Sequence, residues 1–126
     1  MNITRDHRAV RNQASIDMAS AGAGAPSLKL YTAEGGTFLG QRTLASPCGS
    51  ITAEGRISLL PAPGNDLVVA SGAVGWAVWC DGDGVPVGAG AVTDSAGAGP
   101  FKLGGTAGTM VYEGGLVLLS APALLG

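Results

Sequence analysis

The residues able to do chemistry are few and badly placed for it. The single histidine, His7, lies in a charged N-terminal stretch with Arg5, Arg8 and Arg11. A Ser-His-Asp or Cys-His arrangement would have to use it, and a terminal segment is a poor place to hold a general base rigidly. None of Ser50, Ser71, Ser95 and Ser120 sits in a G-x-S-x-G turn. The glycine pairs Gly22-Ala23-Gly24, Gly88-Ala89-Gly90 and Gly97-Ala98-Gly99 lack the third glycine of a dinucleotide loop, and no Gly-Lys-Ser/Thr occurs. These glycines read as turn and close-packing positions. Glu34, Glu54, Glu113 and the aspartates would have to supply an acid pair for glycoside hydrolysis, and nothing in the spacing brings two together. Asp81-Gly82-Asp83-Gly84 could begin a calcium site. The following Val85-Pro86-Val87 offers no further oxygen ligand, so the four residues read first as a hairpin turn. Cys48 and Cys80 are 32 residues apart with no CxxC pair, and they could bridge only if their strands meet. Two buried free thiols are expected. No catalytic residue, cofactor or metal ligand is assigned, and the chain is expected not to be an enzyme.

At 126 residues the chain has the length of one domain, enough for a hydrophobic core without metals or disulfides. Only 13% of residues are charged, and the 22 glycines and 20 alanines make a third of the chain. Little charge leaves little solvated surface, so part of that surface is expected to be covered by partner subunits. The alternative on composition alone is a monomer with a quiet small-residue surface. Net charge is −2, against a general nucleic-acid binder. Residues 1–12 carry +2 and the other 114 carry −4. A basic arm on an acidic body suits docking between subunits; the alternative is a frayed, solvated terminus. Met1–Asn12 has no apolar core of a secretory signal, and Gly115–Gly126 is too short to span a bilayer. A soluble protein made in a cytoplasm, without direct nucleic-acid or membrane contact, is the expectation.

The elements follow from periodicity. Thr4 caps a helix whose stripe is Val10, Ala14, Met18 and Ala21, and Gly22, Gly24 and Pro26 end it. From Ser27 the period becomes two. Leu28 and Leu30 alternate with Lys29 and Tyr31, Gly35-Gly36 turns, and Phe38–Ala45 forms a second strand closed by Ser46-Pro47 and Gly49-Ser50. Arg56–Leu60 is the best part of the third, with Ile57 and Leu59 on one face, and residues 61–66 form a loop. Leu67–Cys80 has the strongest β signal. Val74, Trp76, Val78 and Cys80 share one face, with Trp76 as core, and Ala73, Ala77 and Trp79 share the other. Trp79 then faces a subunit, a second packed layer or a ligand. Val85, Val87, Ala89 and Ala91 resume the alternation and complete a β-hairpin. Residues 94–100 and 104–108 read as loops around Phe101–Leu103. Met110–Tyr112 and Leu116–Ser120 close the chain around Glu113-Gly114-Gly115. The predicted fold is all-β, a β-sandwich or jelly-roll-like domain (27–126) behind a short N-terminal α-helix and Gly/Ala hinge (1–26).

An Arg-Asn-containing helix, a Gly/Ala hinge, the strand Leu28-Lys29-Leu30-Tyr31-Thr32 and the strand-and-turn Gly75-Trp76-Ala77-Val78-Trp79-Cys80-Asp81-Gly82-Asp83-Gly84 occur here in that order. In this the chain resembles the small virion proteins that cement or decorate tailed-phage capsids, often on jelly-roll-like β-folds. The resemblance covers most of the chain and departs at Leu116–Leu125, which is more apolar than the polar strand it implies. It implies a non-enzymatic structural protein stabilising a phage head, located in the virion after assembly in the host cytoplasm. Its partners would be the major capsid protein or other virion proteins, and a homo-oligomer is expected. Arg5, His7, Arg8, Arg11, Tyr31 and Trp79 are the candidate assembly contacts. The alternatives are a neck, tail or fibre-associated component, or a carbohydrate- or calcium-binding module built on Trp79 and the Asp81/Asp83 turn.

Overall fold

A computed structural model describes residues 3–63, 66–94, 101–103, 109–115 and 124–125. Helix α1 (Arg5–Ala19) starts where Thr4 accepts a hydrogen bond from the His7 amide, with Asp6 in the positive first turn. Among the described residues nine strands follow: β1 (Ser27–Tyr31), β2 (Phe38–Ile51), β3 (Ile57–Pro61), β4 (Gly72–Ala73), β5 (Trp76–Cys80), β6 (Pro86–Asp94), β7 (Phe101–Leu103), β8 (Met110–Val111) and β9 (Leu124–Leu125). Seven form one sheet in the order β7-β6-β5-β1-β2-β3-β9, and β4 pairs with β8 in a separate ribbon. The chain is therefore mostly β with one short N-terminal helix. All the pairings are antiparallel except β6 with β7. The expected strand Leu116–Ser120 and the loops at 95–100 and 104–108 lie outside the described residues.

Strand β1 is central because its alternation fits two neighbours at once. Leu28 sits opposite Arg42 on β2 and Trp79 on β5, and Leu30 opposite Gly40 and Ala77. Opposed residues share a face, so Leu28, Leu30, Ala77 and Trp79 line the interior with Leu44, Val92, Phe101 and Leu103. The expected facing of β5 is corrected here. Trp79 is the core tryptophan, 4% exposed, while Trp76 and Val78 lie half-buried on the outer face. The cause is register: β6 sets Gly88 opposite Trp79 and Gly90 opposite Ala77, which makes room for a large ring inside. For the same reason Val92 is buried, whereas Val85, Ala89 and Ala91 point outward. Two further boundaries change. β2 continues through Ser46-Pro47, a cis peptide, with an irregularity before Gly49. Residues 67–71, expected within the strongest strand, run mostly as irregular backbone before β4.

The helix is docked with a different face from the one its longest apolar stripe defines. Ile16 and Ala19 join the core and Asn12 is buried with them, while Val10 is 71% and Met18 56% exposed. The β2–β3 turn fixes this choice. Asn12 Nδ2 donates to the Gly55 carbonyl at 2.7 Å, and an Arg8 guanidinium nitrogen donates to the Glu54 carbonyl at 2.9 Å. Gly55 has φ +80°, and a Cβ there would lie 2.6 Å from the Arg5 carbonyl oxygen. Only glycine lets the helix approach so closely. Beyond α1, the Gly/Ala segment is tied to the β5–β6 turn: Gly82 N–H donates to Ala21, Gly24 N–H to Gly82, and Ala23 N–H to Asp83 Oδ1.

Candidate functional site

The chemistry-bearing side chains stay apart. His7 is exposed on α1, and no cluster of three His, Cys, Asp or Glu residues suited to a metal ion occurs among the described residues. In the β5–β6 hairpin, Asp81 Oδ1 accepts from the amides of Asp83 and Val85, both at 2.9 Å, and Gly84 takes φ +80°. Asp81 and Asp83 thus spend carboxylate oxygens on backbone amides, the work of turn residues. Cys48 and Cys80 are both free and buried. Burial pushes both thiols up, against weaker opposing effects: Ser20 and the Trp79 indole at Cys48, and Lys29 at Cys80. The Trp79 Nε1 acts on that sulfur without reaching hydrogen-bond geometry, and it is buried without a partner among the described residues. Protonated, enclosed thiols make poor nucleophiles.

What the fold does display is apolar surface. The β4–β8 ribbon pairs Gly72 with Val111 and Ala73 with Met110, and the amide of Val68 extends the pairing to Gly115. The register sets Ala73 beside Met110 on one face of the ribbon, and Leu67, Val69, Ser71 and Tyr112 nearby are exposed as those two are. The other side turns Val68 and Val74 into the core. Leu67, Val69 and Tyr112 are each more than half exposed, Tyr112 by 65%, and the exposed Glu113 lies beside them, its amide donating to Ser71 Oγ. Large exposed apolar side chains grouped in this way are a feature that interaction surfaces share. The group escaped sequence reasoning because Leu67-Val68-Val69-Ala70 is apolar throughout. The available signal was Met110 and Tyr112, two large residues in phase on a short strand.

A second apolar array crosses the outer face of the main sheet. Phe38, Tyr31 and Trp76 stand opposite one another on β2, β1 and β5, with Ala91 next on β6. The Tyr31 and Phe38 rings meet edge to face, centroids 5.6 Å apart and planes at 63°. Tyr31, a predicted contact, is half-buried in this row. Trp79, the other aromatic candidate, is interior, and the tryptophan on the outer face is Trp76. Arg5, His7 and Arg11 are exposed on α1, whereas Arg8 is half-buried against the Glu54 carbonyl. The fold does not gather these residues with Tyr31 into one locus.

One buried polar cluster was not foreseen. Arg42, inward in phase with Leu44, pairs with Asp66 at 2.9 Å and donates to the Ala62 carbonyl at 2.8 Å. Asp66 also accepts from the Thr43 amide at 2.6 Å and its hydroxyl at 3.1 Å. Partial burial works to raise the Asp66 pKa, but the Thr43 amide, Arg42 and the Thr43 hydroxyl together hold it below the usual carboxylate value. This is structural work: it clamps Ala62 and Asp66 onto β2.

The site therefore defines a class by its surfaces, a β domain with outward apolar faces. No protein-family model, curated protein or solved structure matches the chain significantly. No described helix is long and apolar enough to cross a membrane.

Proposed function

We propose that this chain is a non-enzymatic structural protein of a virus particle, a capsid cement or decoration protein. On this reading its β domain is a jelly-roll-like β-sandwich that binds the major capsid protein. The observation that supports the assembly role is the group of exposed large residues Leu67, Val69, Met110 and Tyr112 at the ribbon and the segment leading into it, with Val68 and Val74 in the core behind them. An apolar patch binds by shape and desolvation, and many symmetric copies multiply a modest contact energy. The assignment to a phage head in particular rests on the sequence pattern that runs from the Arg-Asn-containing helix and Gly/Ala hinge through Leu28–Thr32 to the turn ending at Gly84.

Cosedimentation with phage heads assembled from a major capsid protein tests this reading. Saturable binding is expected, weakened about tenfold or more by Tyr112→Lys or Val69→Lys, as for a central interface residue. Both positions are exposed, so the melting temperature should hardly move. Absence of binding, or equal binding by both variants, contradicts the reading. Binding to tails but not heads would favour a neck or tail component instead.

A further inference from the structure

The stripe of α1 that the fold leaves outside has a definite shape. Val10, Ala14 and Met18 are exposed, on the side of the helix opposite Ile16 and Ala19. At 3.6 residues per turn, Val10 and Met18 lie about 40° either side of Ala14, and the stripe runs about 12 Å. Its flanks are not alike. About 60° round one side lies Arg11, with His7 between it and the midline; about 60° round the other lies Asp17, with Asp6 just beyond. All four are exposed. Gln13 Nε2 donates to Asp17 Oδ1 at 3.0 Å, steadying that carboxylate beside the stripe.

We infer that this face of α1 is a self-association surface, occupied by the α1 of a second copy with the two helices parallel. The charge pattern selects both partner and orientation. A two-fold axis along the helices turns the basic flank of each copy towards the acidic flank of the other, so Arg11 meets the side carrying Asp17. An antiparallel pair would set basic flank against basic flank. The small Ala14 at the centre lets the backbones approach. With so short a stripe the interface sits at the small end of specific contacts, and the dimer is weak in isolation. Within an assembly of many copies such a contact links neighbours already held close. The inference concerns the isolated chain, so it stands or falls separately from the reading of the protein as a capsid component.

Sedimentation equilibrium of the full chain tests it. A reversible dimer is expected, with a dissociation constant on the order of 10–100 μM for so small an interface. Ala14→Glu should abolish it. Arg11→Asp and Asp17→Arg should each weaken it about tenfold, and the combined exchange should restore it, because complementarity is kept with its sign reversed. Val10→Cys should cross-link to itself under mild oxidation, since parallel helices bring the two copies of residue 10 together. Cys48 and Cys80 are buried and do not compete. These positions are exposed, so an unchanged melting temperature verifies that each variant is folded. A chain monomeric at about 1 mM, far above the expected dissociation constant, would overturn the inference. So would a dimer indifferent to Ala14→Glu, or an exchange that fails to rescue.

Discussion

Trp79→Ala is expected to cost about 3–5 kcal/mol of stability, as for deletion of a buried aromatic side chain. The ring stands between Leu28 on β1 and Gly88 on β6, in the core shared by α1 and the sheet. No neighbour collapses readily into that space, because the residue opposite is a glycine and α1 is pinned through Asn12 and Gly55. Since a domain of this size is stable by about 5–15 kcal/mol in all, this one change removes a large fraction of the total. Trp76→Ala, on the half-exposed outer face, should cost about 1 kcal/mol. Trp79→Phe should be the mildest change at that position, because the buried Nε1 has no hydrogen-bond partner among the described residues. Denaturant unfolding followed by circular dichroism measures all three. A larger cost for Trp76→Ala than for Trp79→Ala would mean that β5 faces the other way.

Asp66→Asn should cost about 2–3 kcal/mol at neutral pH, by leaving Arg42 without its counter-charge where its side chain is only 11% exposed. The pH dependence follows from the direction of the shift. Asp66 is held below its usual value in the folded chain, so its ionised form stabilises the fold. That contribution is complete above about pH 5, where the unfolded carboxyl, with pKa near 3.9, is also ionised. It is lost as pH falls through the lowered folded value. Wild type and Asp66→Asn should therefore converge in melting temperature on acidification below about pH 4. A constant difference down to pH 2 would show that the carboxylate charge contributes nothing and that shape alone matters.

Much of the fold was legible, and the failures share a cause. Helix α1 was readable because Thr4, Asp6 and the glycines beyond Ala19 are local signals. The β5–β6 hairpin was readable because Asp81-Gly82-Asp83-Gly84 separates two alternating segments. Facing was not readable where both sides of an element are apolar. In β5 the run Trp76-Ala77-Val78-Trp79 offers two equivalent faces, and the choice is made by Gly88 and Gly90 on the next strand. In α1 the longer stripe looked like the buried one. Asn12 and Gly55, 43 residues apart, decide for Ile16 and Ala19 instead. The Arg42–Asp66 pair spans 24 residues and has no local pattern. Of the predicted contacts, the exposed arginines of α1 and Tyr31 remain near the surface. The ribbon face was hidden because it exists only once residues 67–73 meet residues 110–115.

The same pattern gives the surface its meaning. Residues that sequence logic would bury, among them Val10, Met18, Leu67, Val69 and Tyr112, stand outside because the core is already filled by others. Exposed apolar side chains in a chain with little charge to keep copies apart favour a covered surface. On the proposed reading, neighbours in a particle would cover these residues.

The most direct test is the copy number of this protein in purified phage particles, measured by quantitative mass spectrometry against the major capsid protein. A cement or decoration role requires near-stoichiometric copies. Absence from the particle would contradict the account, and a handful of copies would contradict the capsid role in favour of the neck or tail.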